Sequence, residues 1–244
     1  MQKIAVFTEG LTEQLFVAEV IRFLAEARNF HIVKKRLWGG RRFPTIEIAV
    51  DANEQDDIDS DFYFLLLDCS SEDKVVSAIR ERYEGLTANG FTTIIGVRDL
   101  APSFRRDQLE RLFEASMKSL QREPVDPLLV VAVMEMEAWF IAEATHFAKV
   151  DPSLTRQCIL DKLNIDIEAD AEEIERPSHT LPKIYDLAGV SYDKTRADLD
   201  RTIAALDLKQ YNDQAAFLRA KSVQPLFDRL RAVLLSADDL DRTA

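Results

Sequence analysis

Cysteine, histidine and long apolar runs are all scarce in this chain, and each scarcity removes a class of protein. Only two cysteines, Cys69 and Cys158, occur in 244 residues. They share no metal-ligand spacing and offer no disulfide framework, so a cytoplasmic location is the default expectation. The three histidines, His31, His146 and His179, lie far apart. That argues against a histidine-rich zinc site and favours hard, oxygen-liking ions such as magnesium or manganese. No stretch approaches the length of a membrane span. Lys3 and Glu9 bracket a very short apolar run, which is not the basic, apolar and small-residue succession of a signal peptide. There is no internal repeat and no low-complexity tract. The formal charge is -12. It argues against a surface that grips nucleic acid everywhere, while leaving room for a local basic groove.

The run Ile4-Ala5-Val6-Phe7 is short and apolar, and polar residues do not alternate with it. It reads as a buried strand. It stops at Thr8-Glu9-Gly10, and a helix begins near Thr12, with Thr12 as N-cap and Glu13 and Gln14 in its first turn. Gly10 suggests a backbone conformation that a Cβ would resist. Glu9 is thereby placed at the C-terminal end of a central strand, where open α/β sheets bind ligands. The turn lacks the Gly-Lys-Ser/Thr ending of a P-loop and the repeated glycines of a dinucleotide fingerprint. A carboxylate there suggests a metal ion or a proton relay; the alternative is a solvated turn residue.

Further strands are expected at 31–38, 45–50, 61–68, 92–97 and 128–134, with helices at 72–86 and 105–120. Residues 51–61 read as an acidic loop. The strand–helix–strand unit over 61–97 predicts a parallel crossover. Lys34, Lys35, Arg36, Arg41 and Arg42 form the densest basic cluster. It is either a phosphate-contacting patch or an edge strand guarded by charge. Glu9, Asp68, Asp99 and Glu135/Glu137 all follow apolar strands, so a parallel sheet would gather them at one edge. Each alone is an ordinary turn or helix-start residue, and Trp139 reads as core. After about Val150 the strands give way to helices at 153–163, 181–187, 194–206 and 212–236, with an acidic loop at 166–175. Two domains are expected: an α/β domain over 1–149 and a helical subdomain over 150–244.

These motifs resemble the TOPRIM fold of topoisomerases, bacterial primases and overcoming-lysogenisation-defect nucleases. Val6-Phe7-Thr8-Glu9-Gly10-Leu11-Thr12-Glu13-Gln14-Leu15-Phe16 is similar to the family's first motif. Thr93-Ile94-Ile95-Gly96-Val97-Arg98-Asp99 is similar to its second. Glu137-Ala138-Trp139, Pro182-Lys183 and Tyr192-Asp193-Lys194 extend the likeness to bacterial TOPRIM-like proteins. The resemblance implies a Rossmann-like, mainly parallel sheet flanked by helices and followed by a helical region. It implies that Glu9 is a general acid/base or metal ligand, and that Asp99 is the first aspartate of a magnesium-binding Asp-x-Asp pair. The second position of that pair is Ala101, so another carboxylate must complete the set: Asp68, Asp107 or Glu137, with Glu137 first. Some related proteins act beside ATPases in phage defence.

The resulting expectation is a magnesium- or manganese-dependent nuclease or phosphotransferase acting on nucleic-acid phosphodiesters. Glu9 and Asp99 are its catalytic residues. Glu9, Asp68, Asp99 and Glu137 are its metal set, and Arg41, Arg42 and Arg98 hold phosphate. No tyrosine stands out as a topoisomerase nucleophile. Nucleic acid, an ATPase and a second copy of the chain are the expected partners; a membrane is not. The rival is a TOPRIM-derived binding or regulatory subunit without catalysis, which Ala101 and the acidic pI favour. A small-molecule α/β domain comes third, for lack of a cofactor motif.

Overall fold

Four successive residues of the first strand, Ile4 to Phe7, have no exposed surface at all. A strand buried that completely needs partners on both sides, because its amides and carbonyls reach no water. The computed structural model describes residues 1–40, 43–50, 60–212 and 216–235. Its elements are β1 (Gln2–Thr8), α1 (Leu11–Ala25), β2 (Phe30–Gly40), β3 (Phe43–Ala49), β4 (Phe62–Asp68), α2 (Glu72–Ala88), β5 (Phe91–Asp99), α3 (Leu109–Ser119) and β6 (Leu128–Ala132). There follow α4 (Glu137–Ala142), α5 (His146–Val150), α6 (Arg156–Leu163), α7 (Pro177–Asp186), α8 (Arg196–Ala205), α9 (Leu208–Asn212) and α10 (Gln224–Leu235). The six strands form one sheet in the order β3-β2-β4-β1-β5-β6. β1 runs parallel to β4 and β5, β2 parallel to β4, and β3 antiparallel to β2. The chain is therefore an α/β protein with a mostly parallel sheet flanked by helices and a helical C-terminal region. Among the described residues no helix is long and apolar enough to cross a membrane.

The chain divides into two compact units. One holds Met1–Arg98, Glu110–Val130 and the chain from Asp228 on; the other holds Asp99–Leu109 and Val131–Phe227. In the first, Ala5, Phe7, Leu65, Leu67 and Ile94 share a sheet face and pack against Val75, Ile79, Tyr83 and Leu86. The helical spacing of those four residues gives α2 one apolar face. Gly96 lies close under α2: an added Cβ would lie 2.8 Å from Ile79 Cδ1 and 3.2 Å from Val75 Cγ1. α1 is tied to the sheet by Gln14, whose Nε2 donates to Lys35 O at 2.9 Å and to Leu66 O at 3.0 Å.

The second unit is built on Trp139, Phe140, Phe147, Tyr185 and Tyr211, all fully buried. Trp139 is core, as expected, with its Nε1 donating to Ser222 Oγ at 2.8 Å. His146 is fully buried too. Its Nδ1 lies 2.5 Å from Glu143 O, and its Nε2 lies 3.0 Å from the Tyr185 hydroxyl, which is itself 3.2 Å from Thr202 Oγ1. A neutral ring satisfies this arrangement, with Nδ1–H donating to the carbonyl and Nε2 accepting from tyrosine.

Several helix boundaries differ from the sequence expectation. α1 begins at Leu11 and stops at Ala25, where Glu26 takes φ 50°. α7 begins at Pro177 rather than at 181; the missing N–H of proline would be unpaired at a helix start anyway. The acidic stretch before it contains a 3-10 turn, Ala171–Glu173, with Ala171 buried. The expected helix over 212–236 is not one helix. Arg219 Nε donates to Ala142 O at 2.7 Å, and Ser222 is taken by Trp139. These tertiary bonds hold the connection out of helical form before α10 begins.

Two outcomes follow. Gly96→Val should lower unfolding free energy by about 1–3 kcal/mol through overpacking, read by urea denaturation. For His146, burial pushes the pKa down from 6.5 to about 4. Its neutral ring supports the fold fully above pH 6.5, and that support is lost as pH falls from 6.5 towards 4, about 3 kcal/mol in all. Buried Glu143, whose carboxyl burial pushes up, acts in the opposite sense, losing its contribution as pH rises. Comparing wild type with His146→Gln across this range isolates the histidine: the variant should show a shallower acid loss.

Candidate functional site

β1 ends at Thr8, which is in register with Asp68, the last residue of β4, on one side and with Val97 on the other. Asp68 is in turn paired with Arg36 of β2. Glu9, next after Thr8, therefore stands level with Arg98. The parallel ladder gathers Glu9, Asp68, Arg36 and Arg98 at one edge of the first unit. Glu9 is half-buried, while Asp68 and Arg98 are 1% and 4% exposed.

The turn after β1 differs from the sequence reading in two respects. The N-cap of α1 is Gly10, not Thr12, and the Glu13 carboxylate accepts the Gly10 N–H at 2.9 Å. A negative charge here also suits the positive end of the helix. Gly10 has φ -154°, extended backbone that any residue can take. What favours glycine is space, since a Cβ would lie 3.3 Å from Glu13 Oε2.

Asp68 is held from two directions. Its Oδ1 accepts Ser70 N–H at 2.7 Å, and its Oδ2 lies 3.2 Å from Arg36 Nε. Arg36 Nε also donates to Ser70 Oγ at 3.1 Å, and that hydroxyl donates to Leu37 O at 3.1 Å. Burial nevertheless pushes the Asp68 carboxyl above its usual value, outweighing Ser70 and Arg36.

The basic cluster does not act as one patch. β2 is not an edge strand; it lies between β3 and β4. Alternation sends Lys34 and Arg36 to one face and Lys35 to the other. Lys34 is 6% exposed, Lys35 Nζ pairs with Glu47 at 2.9 Å, and Arg36 serves Asp68. Arg41 and Arg42 lie outside the described residues. Arg36 as the partner of Asp68 was not legible beforehand, because strand register alone brings them together.

Asp99 and Glu137 belong to the second unit. Asp99, 6% exposed, accepts the Met136 N–H on Oδ1 at 2.9 Å. Glu137 is fully buried at the start of α4, with Lys194 Nζ 2.7 Å from Oε1. That approach is an ion pair without hydrogen-bond geometry. Two of the sequence motifs, Glu-Ala-Trp and Tyr-x-Lys, thus meet through one charge pair. Glu135 accepts from Ser178 N and Oγ, both at 2.7 Å, and so covers the start of α7. Asp107 is exposed and pairs with Arg105 at 3.2 Å.

Among the described residues no group of three or more His, Cys, Asp or Glu side chains is arranged to hold a metal. Magnesium asks for less, since it commonly takes one or two carboxylates and fills its shell with water and phosphate oxygens. Glu9 and Asp68 suit that demand, and the desolvated charge of Asp68 is one a cation would relieve.

Replacing Arg36 by Met removes a charge that holds the Asp68 pKa down. The carboxyl should then titrate at still higher pH, read by carbon NMR of the aspartate side chains. No protein-family model, no curated protein and no solved structure matches this chain.

Proposed function

We propose that the strand-end edge of the first unit is the phosphate-handling site of a magnesium- or manganese-dependent nuclease or phosphotransferase acting on nucleic-acid phosphodiesters. The observation that carries this reading is the register of Thr8 with Asp68, which sets Glu9 and the buried Asp68 carboxylate at neighbouring strand ends. Both carboxylates would hold the ion. When bound, such an ion lowers the pKa of a coordinated water and offsets charge growing on the phosphate. Glu9, half-buried and so in reach of solvent, would take or give the proton. Arg98, and Arg41 and Arg42 by sequence, are assigned to the phosphate, where a guanidinium matches two oxygens at once. Asp99 and Glu137 each serve a donor of their own unit, and the reading does not need them as ligands. The resemblance to TOPRIM proteins adds a setting in phage defence beside an ATPase, and the sparse cysteines a cytoplasmic one.

A second reading is favoured by a specific observation. Asp68, Asp99 and Glu135 accept hydrogen bonds from protein donors and Glu137 is ion-paired with Lys194, which is how carboxylates look when they only fix loops. With Ala101 in place of a second aspartate, the chain would then be a binding or regulatory subunit of the same descent.

Calorimetric titration with magnesium and manganese separates the two. Binding in wild type should be weakened by about a hundredfold or more in Glu9→Ala and Asp68→Asn. Saturating metal should raise the melting temperature of wild type only, and metal-dependent cleavage of single- and double-stranded substrates should vanish in both variants. No binding at millimolar metal, with nucleic acid bound but uncut, would instead establish the second reading.

A further inference from the structure

The outer strand of the sheet, β3, is exposed from Thr45 to Ala49 and carries an apolar face. Ile46 and Ile48 are 52% and 46% exposed, and Trp38, in register with Ile46, is 62% exposed. Long edge strands with apolar faces are templates for further pairing, and proteins usually guard them with charge. Here the guard is turned away. The Glu47 carboxylate lies on the opposite face, 2.9 Å from Lys35 Nζ and 3.4 Å from Arg82 Nε.

The ladder shows which backbone groups the edge offers. Val50 N donates to Lys34 O at 2.9 Å across the β2–β3 pair. Bonded and non-bonded pairs alternate along antiparallel strands. Arg36 with Ile48, and Trp38 with Ile46, are therefore the bonded pairs. The amides and carbonyls of Thr45, Glu47 and Ala49 point the other way, and among the described residues no further strand lies beyond β3.

We infer that this edge pairs with the same edge of a second copy, antiparallel and with its two-fold axis at Glu47. That register is self-consistent at every position. Thr45 faces Ala49 of the second copy and Glu47 faces its own equivalent, so all the outward backbone groups meet. Ile46 faces Ile48 of the second copy on the apolar side. The two Glu47 carboxylates at the axis each arrive already neutralised by Lys35 and Arg82, so like-charge repulsion does not oppose the contact. A two-fold contact of this kind is isologous and closes after two subunits. The inference is independent of the metal-dependent reading.

Light scattering and sedimentation on the full chain test it over a wide concentration range. Wild type should pass from 27.8 kDa to twice that mass. Ile46→Glu and Ile48→Lys should each weaken dimerisation by about tenfold or more, since each buries a charge against isoleucine. The double variant I46E/I48K should restore it, because the register sets each new carboxylate opposite a new ammonium. Ala49→Pro should also give monomer, since it removes an outward N–H and leaves the β2 ladder intact. Melting curves will show whether each variant is folded. A wild type that stays monomeric, a dimer that survives the single changes, or a double variant without rescue would each overturn the proposal. An edge that stays monomeric yet binds an extended peptide or an oligonucleotide would likewise overturn it in favour of that occupant.

Discussion

The burial of β1 is the constraint on which the rest depends. Ile4 to Phe7 reach no solvent, so their backbone groups must be paired within the sheet, and their side chains must be covered on both faces. β4 and β5 supply the first requirement, and helices on the sheet faces supply the second. Once β1 is locked between two parallel neighbours, the positions of its last residues are no longer free. Thr8 must end beside Asp68 and Val97, and the polar residues that terminate three strands collect at one edge. The candidate site is a by-product of sheet register.

The same residue type plays different parts according to its surroundings. Glu13 gives its charge to the backbone N–H of Gly10 and to the helix start. Glu47 sits between two cations on a largely open surface. Asp68 is nearly devoid of exposed surface, and there desolvation outweighs both its hydrogen bond and its ion pair. Removing one cation from beside such a group is destabilising, because an uncompensated buried charge remains. Adding a cation works in the other direction. This asymmetry makes Asp68, rather than the more exposed acids, the residue around which a metal reading is built.

In the second unit the carboxylates are distributed along one short segment. Glu135 covers the start of α7, Met136 gives its N–H to Asp99, and Glu137 takes Lys194. Lys194 is held with φ 57°, a conformation uncommon for residues other than glycine and often found where function or packing demands it. The buried network of Glu143, His146 and Tyr185 brings α5, α7 and the residue after α4 together, alongside the packed rings of Phe147 and Tyr185. Polar groups so deeply placed specify a single arrangement, since any other leaves some of them unsatisfied.

The sequence alone determined the strand and helix identities of the first half, because uninterrupted apolar runs and helical spacing are local properties. It also placed Glu9 after the central strand and Asp68 and Asp99 at the ends of two others. It marked Trp139 as core. It did not determine which residues meet. Arg36 with Asp68, Glu137 with Lys194 and Glu13 with Gly10 depend on register, on helix placement or on a backbone turn. The break in the expected last helix has the same origin: Arg219 and Ser222 find partners far away in the chain, and those bonds override local helical preference. Local pattern sets which element forms. Only the packed structure decides which charges are neutralised, because that depends on what burial brings within a few ångströms.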